Sequence, residues 1–145
     1  MLVWRISNYS DLSGRGGLVA AARWNPVNTP IVYCADHPAS ALLEMLVHID
    51  MEDAPSAYQL LHIDVPDGTA IQEPSLPADW KDALSLTRDI GSTFIKAKLA
   101  PVMAVPSVIV PYARNYLLNP LLTEQANIRI VATTLHPIDK RLVNG

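Results

Sequence analysis

Three side chains in the segment from Arg23 to His48 (RWNPVNTPIVYCADHPASALLEMLVH) could act together: a cation, Arg23, a phenol, Tyr33, and a carboxylate, Glu44. The planar fork of Arg23 suits phosphate or carboxylate recognition, though an arginine at a strand edge also serves as an ordinary ion-pair partner. The Tyr33 ring could stack on a flat ligand ring, or fill the core with its hydroxyl satisfied. Glu44 sits in a run from Ala39 to Ile49 that is almost wholly apolar. A carboxylate on a buried helix needs a partner or a chemical task. His37, Ser40, Glu44 and His48 recur every three or four residues, so they form one helical stripe, either a solvent face or the border of a pocket. Downstream, Ser107 follows a proline and suits a turn or a pocket floor, and Asn115 and Asn119 suit turn closure.

Positioning these groups requires a strand followed by a helix. Pro26 and Pro30 bracket a turn, and PIVYCA (30–35) then reads as a strand with β-branched residues. Asp36 or His37 is the candidate helix cap, with Pro38 in the first turn. The helix that follows is expected to be buried on most sides. Around this unit, 2–6 reads as a first strand and 7–17 as a polar, glycine-rich loop. Residues 58–66 form a strand alternating at Leu61, Ile63 and Val65, and 67–80 is a proline-rich connection. Residues 79–85 and 87–99 read as helical, with Thr87 as a cap and Ile90, Phe94, Ile95 and Leu99 on one face. Pro101 stops that helix. Residues 102–111 are strand-like, and Pro106 within them implies an edge, a bulge or two short strands. Residues 127–135 give the last strand, before a short polar tail. Helices and strands interleave without a regular βαβ rhythm, so the expected class is mixed α/β (α+β), one domain over 1–145.

Composition bounds the function. With 145 residues, 50% of them hydrophobic and 17% charged, the chain can bury a real core and is not disordered. The net charge of −3 and the lack of a basic patch argue against direct nucleic-acid binding. The half-apolar composition is compatible with a homodimer. Cys34, the single cysteine, excludes an intrachain disulfide and reads as a small buried hydrophobe. The histidines at 37, 48, 62 and 136 form no H-E-x-x-H pattern, so no metal is expected. No G-x-G-x-x-G, P-loop or G-x-S-x-G is present. No signal-peptide pattern and no membrane-length apolar run is seen, so the expected location is the cytoplasm, away from membranes.

Five motifs in order carry a resemblance: R-W-N at 23–25, I-V-Y-C-A at 31–35, A-L-L-E-M-L-V-H at 41–48, V-P-S at 105–107 and N-Y-L-L-N-P at 115–120. With D-K-R-L at 139–142 they resemble the RES-domain family over essentially the whole chain. The resemblance implies a fold similar to bacterial ADP-ribosyltransferase toxins. It also implies a toxin that depletes NAD⁺ by cleaving the nicotinamide–ribose bond, through hydrolysis or phosphorolysis, and a helix-turn-helix antitoxin of the Xre type as partner. NAD⁺ is then the substrate, and no cofactor is expected. Two alternatives stand beside it: ADP-ribosyl transfer to a specific cellular protein, and a catalytically silent antitoxin-binding domain. Carried over by motif, the catalytic set is Arg23, Tyr33, Glu44 and Ser107, with Trp24, Asn25, His48 and Asn119 as substrate-binding residues. Glu44 would stabilise an oxocarbenium-like ribose. Arg23 would hold the pyrophosphate or orient the ribose, Tyr33 would pack on the nicotinamide or its ribose, and Ser107 would fix a ribose hydroxyl or the carboxamide. The chain departs from the family pattern at Ala21 and Ala22, and again at Asn28, where glycine is usual.

Overall fold

The computed structural model describes residues 1–143. Asn144 and Gly145, the end of the expected polar tail, lie outside the described residues. Seven strands form one sheet: β1 (Leu2–Ile6), β2 (Val32–Ala35), β3 (Ala57–Asp64), β4 (Ile71–Gln72), β5 (Val102–Pro106), β6 (Arg114–Leu118) and β7 (Arg129–Pro137). Their spatial order is β4-β5-β6-β2-β1-β3-β7. Every neighbouring pair is antiparallel except β4 with β5. The helices are α1 (Gly16–Val19), α2 (Pro38–His48), α3 (Leu84–Ala97) and α4 (Lys140–Val143). This is the α+β architecture expected.

Alternation along the strands divides the core in two. On one face, Val32 and Cys34 of β2 join Val3, Leu61, Ile63, Val102 and Leu118. On the other, Tyr33 packs with Leu117, Met103 and Val105, and α3 closes this layer with Phe94 and Ile95. Full burial of side chains such as Leu61, Ile63 and Leu117 stabilises the sheet by about 1.5–3 kcal/mol each. The sheet also has a seam. β1 pairs with β3 over five positions, but meets β2 at one only, Trp4 opposite Ala35. Arg5 lies at this seam, and its guanidinium donates to the Tyr33 carbonyl at 3.0 Å.

Most of the expected elements form, and the differences have identifiable causes. His37 is the cap of α2: its Nδ1 accepts from the Ala39 N–H at 3.0 Å, with Pro38 in the first turn. The expectation of a mostly buried α2 is corrected. Only Ser40 and Ala41 are buried, and Leu43 and Val47 are 42% and 57% exposed, because the helix packs on β1 and β2 with one side only. Thr87 is not a cap. It lies inside α3, fully buried, and its hydroxyl donates to the Arg23 carbonyl at 2.6 Å. Leu99 does not share the α3 face, since the helix ends as Lys98 turns left-handed, leaving Leu99 78% exposed. Pro106 does not bulge β5; it ends the strand beyond the two positions where β4 pairs, where that side of β5 is an edge, as expected. Residues 114–118, read only as a turn-closing stretch, form the interior strand β6, paired on both sides.

Candidate functional site

The seam opens into a cleft of about 550 Å³, lined by Trp4, Arg5, Arg23, Trp24, Tyr33, Glu44, His48 and Asn115 among others. One wall is the outer half of β1 and β2. A second is the face of α2 that carries Glu44, Met45 and His48, and a third is the loop 21–24. The stripe of His37, Ser40, Glu44 and His48 therefore borders a pocket at its C-terminal half, while His37 is taken up by capping. A smaller cavity of about 200 Å³, lined by Arg5, Tyr9 and Arg15, shares only Arg5 with the cleft.

The loop bearing Arg23 is held from three directions. The Tyr33 hydroxyl accepts from the Trp24 N–H at 3.0 Å and donates to Asn25 Oδ1 at 2.5 Å. The Asn25 amide in turn donates to the carbonyls of Ala20 and Pro26. From α3, Thr87 binds the Arg23 carbonyl and Arg88 Nε the Ala22 carbonyl at 2.9 Å. Gly91 lets α3 approach so closely that a Cβ there would lie 1.6 Å from the Trp24 carbonyl oxygen. Trp24 is buried and stacks on Trp80 at 5.8 Å. Arg23 itself is half-buried; it donates to the Lys81 carbonyl at 2.6 Å and lies 6.0 Å from the Trp80 ring. That bond fixes one side of the guanidinium and leaves its remaining N–H groups for an anion.

Glu44 is the carboxylate of the cleft. Its Oε1 accepts two hydrogen bonds, from Asn115 Nδ2 at 3.1 Å and from the Ser107 hydroxyl at 3.3 Å. The Ser107 oxygen also accepts the N–H groups of Ile109 and Val110 at 3.1 Å each. With its lone pairs so engaged, the single hydroxyl proton of Ser107 is directed to Glu44. Among the described residues no donor reaches Oε2. The proline before Ser107 thus ends β5 at the point where a turn can aim the serine at α2.

The structure brings Arg23, Trp24, Tyr33, Glu44 and His48 to one cleft, with Ser107 bonded to Glu44 behind it. Asn25 does not line it; buried, it braces the Arg23 loop. Asn119 is not brought to it either. Its amide donates to the Ile95 carbonyl and accepts from the Leu121 N–H, and it is fully buried at the far end of β6. The Tyr33 hydroxyl is satisfied by the loop, the second of its two expected roles, while the residue also lines the cleft. Burial pushes that phenol up to about 12 and the Cys34 thiol up to about 12, so both stay protonated and Cys34 is inert. Asn115 and Arg5 are two polar cleft residues that sequence reasoning did not select for the site. Asn115 stands in the same motif as Asn119, and Arg5 lies in an ordinary strand pattern that gives no signal. Asn28, at φ 66°, occupies the left-handed region that asparagine tolerates better than most residues. Among the described residues no cluster of three or more His, Cys, Asp or Glu side chains could hold a metal, and no helix is long and apolar enough to cross a membrane.

A family model described as the RES domain matches residues 2–138. The chain belongs to the RES domain family. Toxin Res of Pseudomonas putida is 42% identical over 145 residues, covering 98% of this RES chain and 99% of that protein. The Prs ADP-ribosylating toxin of Sphingobium sp. is 32% identical over 153 residues, covering 97% and 95%. In solved structures, this RES domain is similar to a chain of the MbcT–MbcA toxin–antitoxin complex of M. tuberculosis. The TM-score is 0.68 at 19% identity, over 99% of this chain and 86% of that one. At that identity the match concerns the fold alone.

Proposed function

We propose that this RES-domain chain is a toxin that cleaves the nicotinamide–ribose bond of NAD⁺ by hydrolysis or phosphorolysis. The observation that carries the reading is the Glu44 carboxylate, held in the cleft by two donors on one oxygen with the other oxygen free. When the C1′–N bond breaks, its electron pair goes to the nicotinamide nitrogen, which leaves neutral, and positive charge develops on the ribose. An anion fixed beside the sugar stabilises that charge more in the transition state than in the ground state. The leaving group is already cationic, so no strong acid is needed, and a single carboxylate suffices. A water oxygen, which loses one proton to solvent, or a phosphate oxygen then bonds to C1′. Arg23, anchored on one side by Lys81, would hold the pyrophosphate, and the rings of Tyr33 and Trp24 would border the nicotinamide ribose.

The likeness to proteins called Toxin Res supports the toxin role, and the likeness to a chain of a toxin–antitoxin complex supports an antitoxin as partner, which we take to be of the Xre type. The relative named Prs ADP-ribosylating toxin favours a second reading with the same bond cleavage, in which a protein side chain accepts the ADP-ribose. The test is NAD⁺ loss on the purified, antitoxin-free chain, with and without phosphate, and with the products separated. ADP-ribose marks hydrolysis, and a phosphorylated ADP-ribose marks phosphorolysis. A protein labelled from tagged NAD⁺ marks transfer. Glu44→Gln keeps size and polarity and removes the charge, so the folded variant should lose turnover. No NAD⁺ loss and no label from folded wild type would refute the cleavage and leave partner binding as the function.

A further inference from the structure

We infer that Asn115 is a positioning residue for Glu44, holding the carboxylate so that Oε1 faces the protein and Oε2 faces the ligand; this rests on the role given to Glu44 above. Glu44 alone is poorly fixed. It has a long side chain on a helix whose outer side is open, and without an anchor it would sample several rotamers. Asn115 is the opposite. It projects from β6, an interior strand hydrogen-bonded to both β2 and β5, where it stands opposite Ala35 and Val105. A short side chain on a backbone held from both sides gives a rigid donor, and its Nδ2 reaches Oε1 at 3.1 Å.

The other end of the same amide shows that this bond is its purpose. Asn115 Oδ1 is buried and has no partner, the sole such side-chain atom among the described residues. An orphaned acceptor costs about 1–3 kcal/mol, and an amide serving the fold would satisfy its carbonyl first. Rotating the amide by half a turn would set Oδ1 against the carboxylate oxygen and aim both N–H donors at the sealed side. The amide is thus locked in the orientation that serves Glu44 and leaves its own oxygen unpaired. Ser107 supplies the second donor from the turn after β5, at the longer 3.3 Å, and cannot orient the carboxylate alone.

Asn115→Ala and Asn115→Asp test this by steady-state NAD⁺ cleavage against pH, together with crystal structures of both variants. Asn115→Ala should lower kcat on the order of 100-fold, as a displaced reacting group does, with KM unchanged. Asn115→Asp keeps the shape but sets an acceptor where the donor stood. Its turnover should be low at neutral pH and rise as pH falls, because a proton shared between the facing carboxylates restores the missing donor. A purely structural role predicts that the isosteric Asp variant behaves like wild type at all pH values. In the Ala variant the Glu44 carboxylate should be displaced from Ser107. A carboxylate unmoved in that structure, or wild-type kcat in a folded Ala variant, overturns the inference. If wild type consumes no NAD⁺, the proposed cleavage fails, and the two structures alone decide whether Asn115 holds Glu44. Should the Ala variant not fold, the Asp variant carries the test.

Discussion

Replacing Gly91 by alanine should reverse the usual sign of that substitution in a helix. At an open helical position, alanine is favoured over glycine by about 0.8–1.0 kcal/mol. At Gly91 the new Cβ would sit 1.6 Å from the Trp24 carbonyl oxygen and 2.7 Å from its carbonyl carbon, where contacts under 3.0 Å do not occur. Helix and loop must separate by more than 1 Å, and no rotamer change can relieve a clash between two backbones. Overpacking of this kind costs about 1–3 kcal/mol, so after the helical gain the net loss is up to about 2 kcal/mol. The separation also strains the bonds from Thr87 and Arg88 to the loop and shifts Arg23 in the cleft wall. Urea unfolding measures the first effect as a lower midpoint at unchanged slope. NAD⁺ cleavage measures the second, as a fall in kcat/KM larger than the stability loss explains. Ser85→Ala, on the exposed side of α3, is the control and should stay within about 0.5 kcal/mol. A Gly91→Ala protein as stable as that control, with wild-type turnover, would refute the claim that close helix–loop contact sets the cleft wall.

Three further outcomes are expected. Tyr33→Phe orphans the Trp24 N–H and Asn25 Oδ1, at about 1–3 kcal/mol each, so its melting temperature should drop. Wild type should also lose stability from pH 9 to 12. The folded Tyr33 and Cys34 keep their protons to about 12, whereas the ordinary values are 10.0 and 9.0. The unfolded chain therefore holds fewer protons in that window, and stability falls as pH rises. In Tyr33→Phe the limb beginning near pH 10 should be shallower, and an unchanged slope would argue against a buried phenol. Arg23→Lys keeps the charge but loses the fork. It should raise KM for NAD⁺ roughly 10-fold or more, as loss of a charge-assisted bond of about 1.5–3 kcal/mol does, with a smaller effect on kcat; an unchanged KM would remove Arg23 from the substrate contacts.

The focal strand and helix were legible because their signals are local: alternation in 31–35, a capping histidine, and proline in the first turn. The stripe of α2 could be placed on one face by spacing, but not on a particular side, since apolar Leu43 and Val47 mimic burial. Asn115 and Asn119 show where pattern reading stops. Both fall in N-Y-L-L-N-P with the same parity, so alternation cannot separate them. They stand near the start and just past the end of β6, four residues or about 13 Å apart, and only the pairing of β6 with β2 and β5 shows which end meets Glu44. Arg5 was invisible for a related reason: its importance arises from the seam between β1 and β2, a gap in pairing that no residue in β1 announces.

The clamp on Glu44 also fixes an order in time. Glu44 is made early, but its donors Ser107 and Asn115 come 63 and 71 residues later. At the usual pace of about 5–20 residues per second, the ribosome needs several seconds to cover that stretch. Through that interval β1, β2 and β3 can already pair, while β5 and β6 are still missing from the side of the sheet that holds the carboxylate. A nascent chain can therefore carry the seam and α2 without a formed site. The positioned carboxylate appears only once β6 has emerged and docked beside β2.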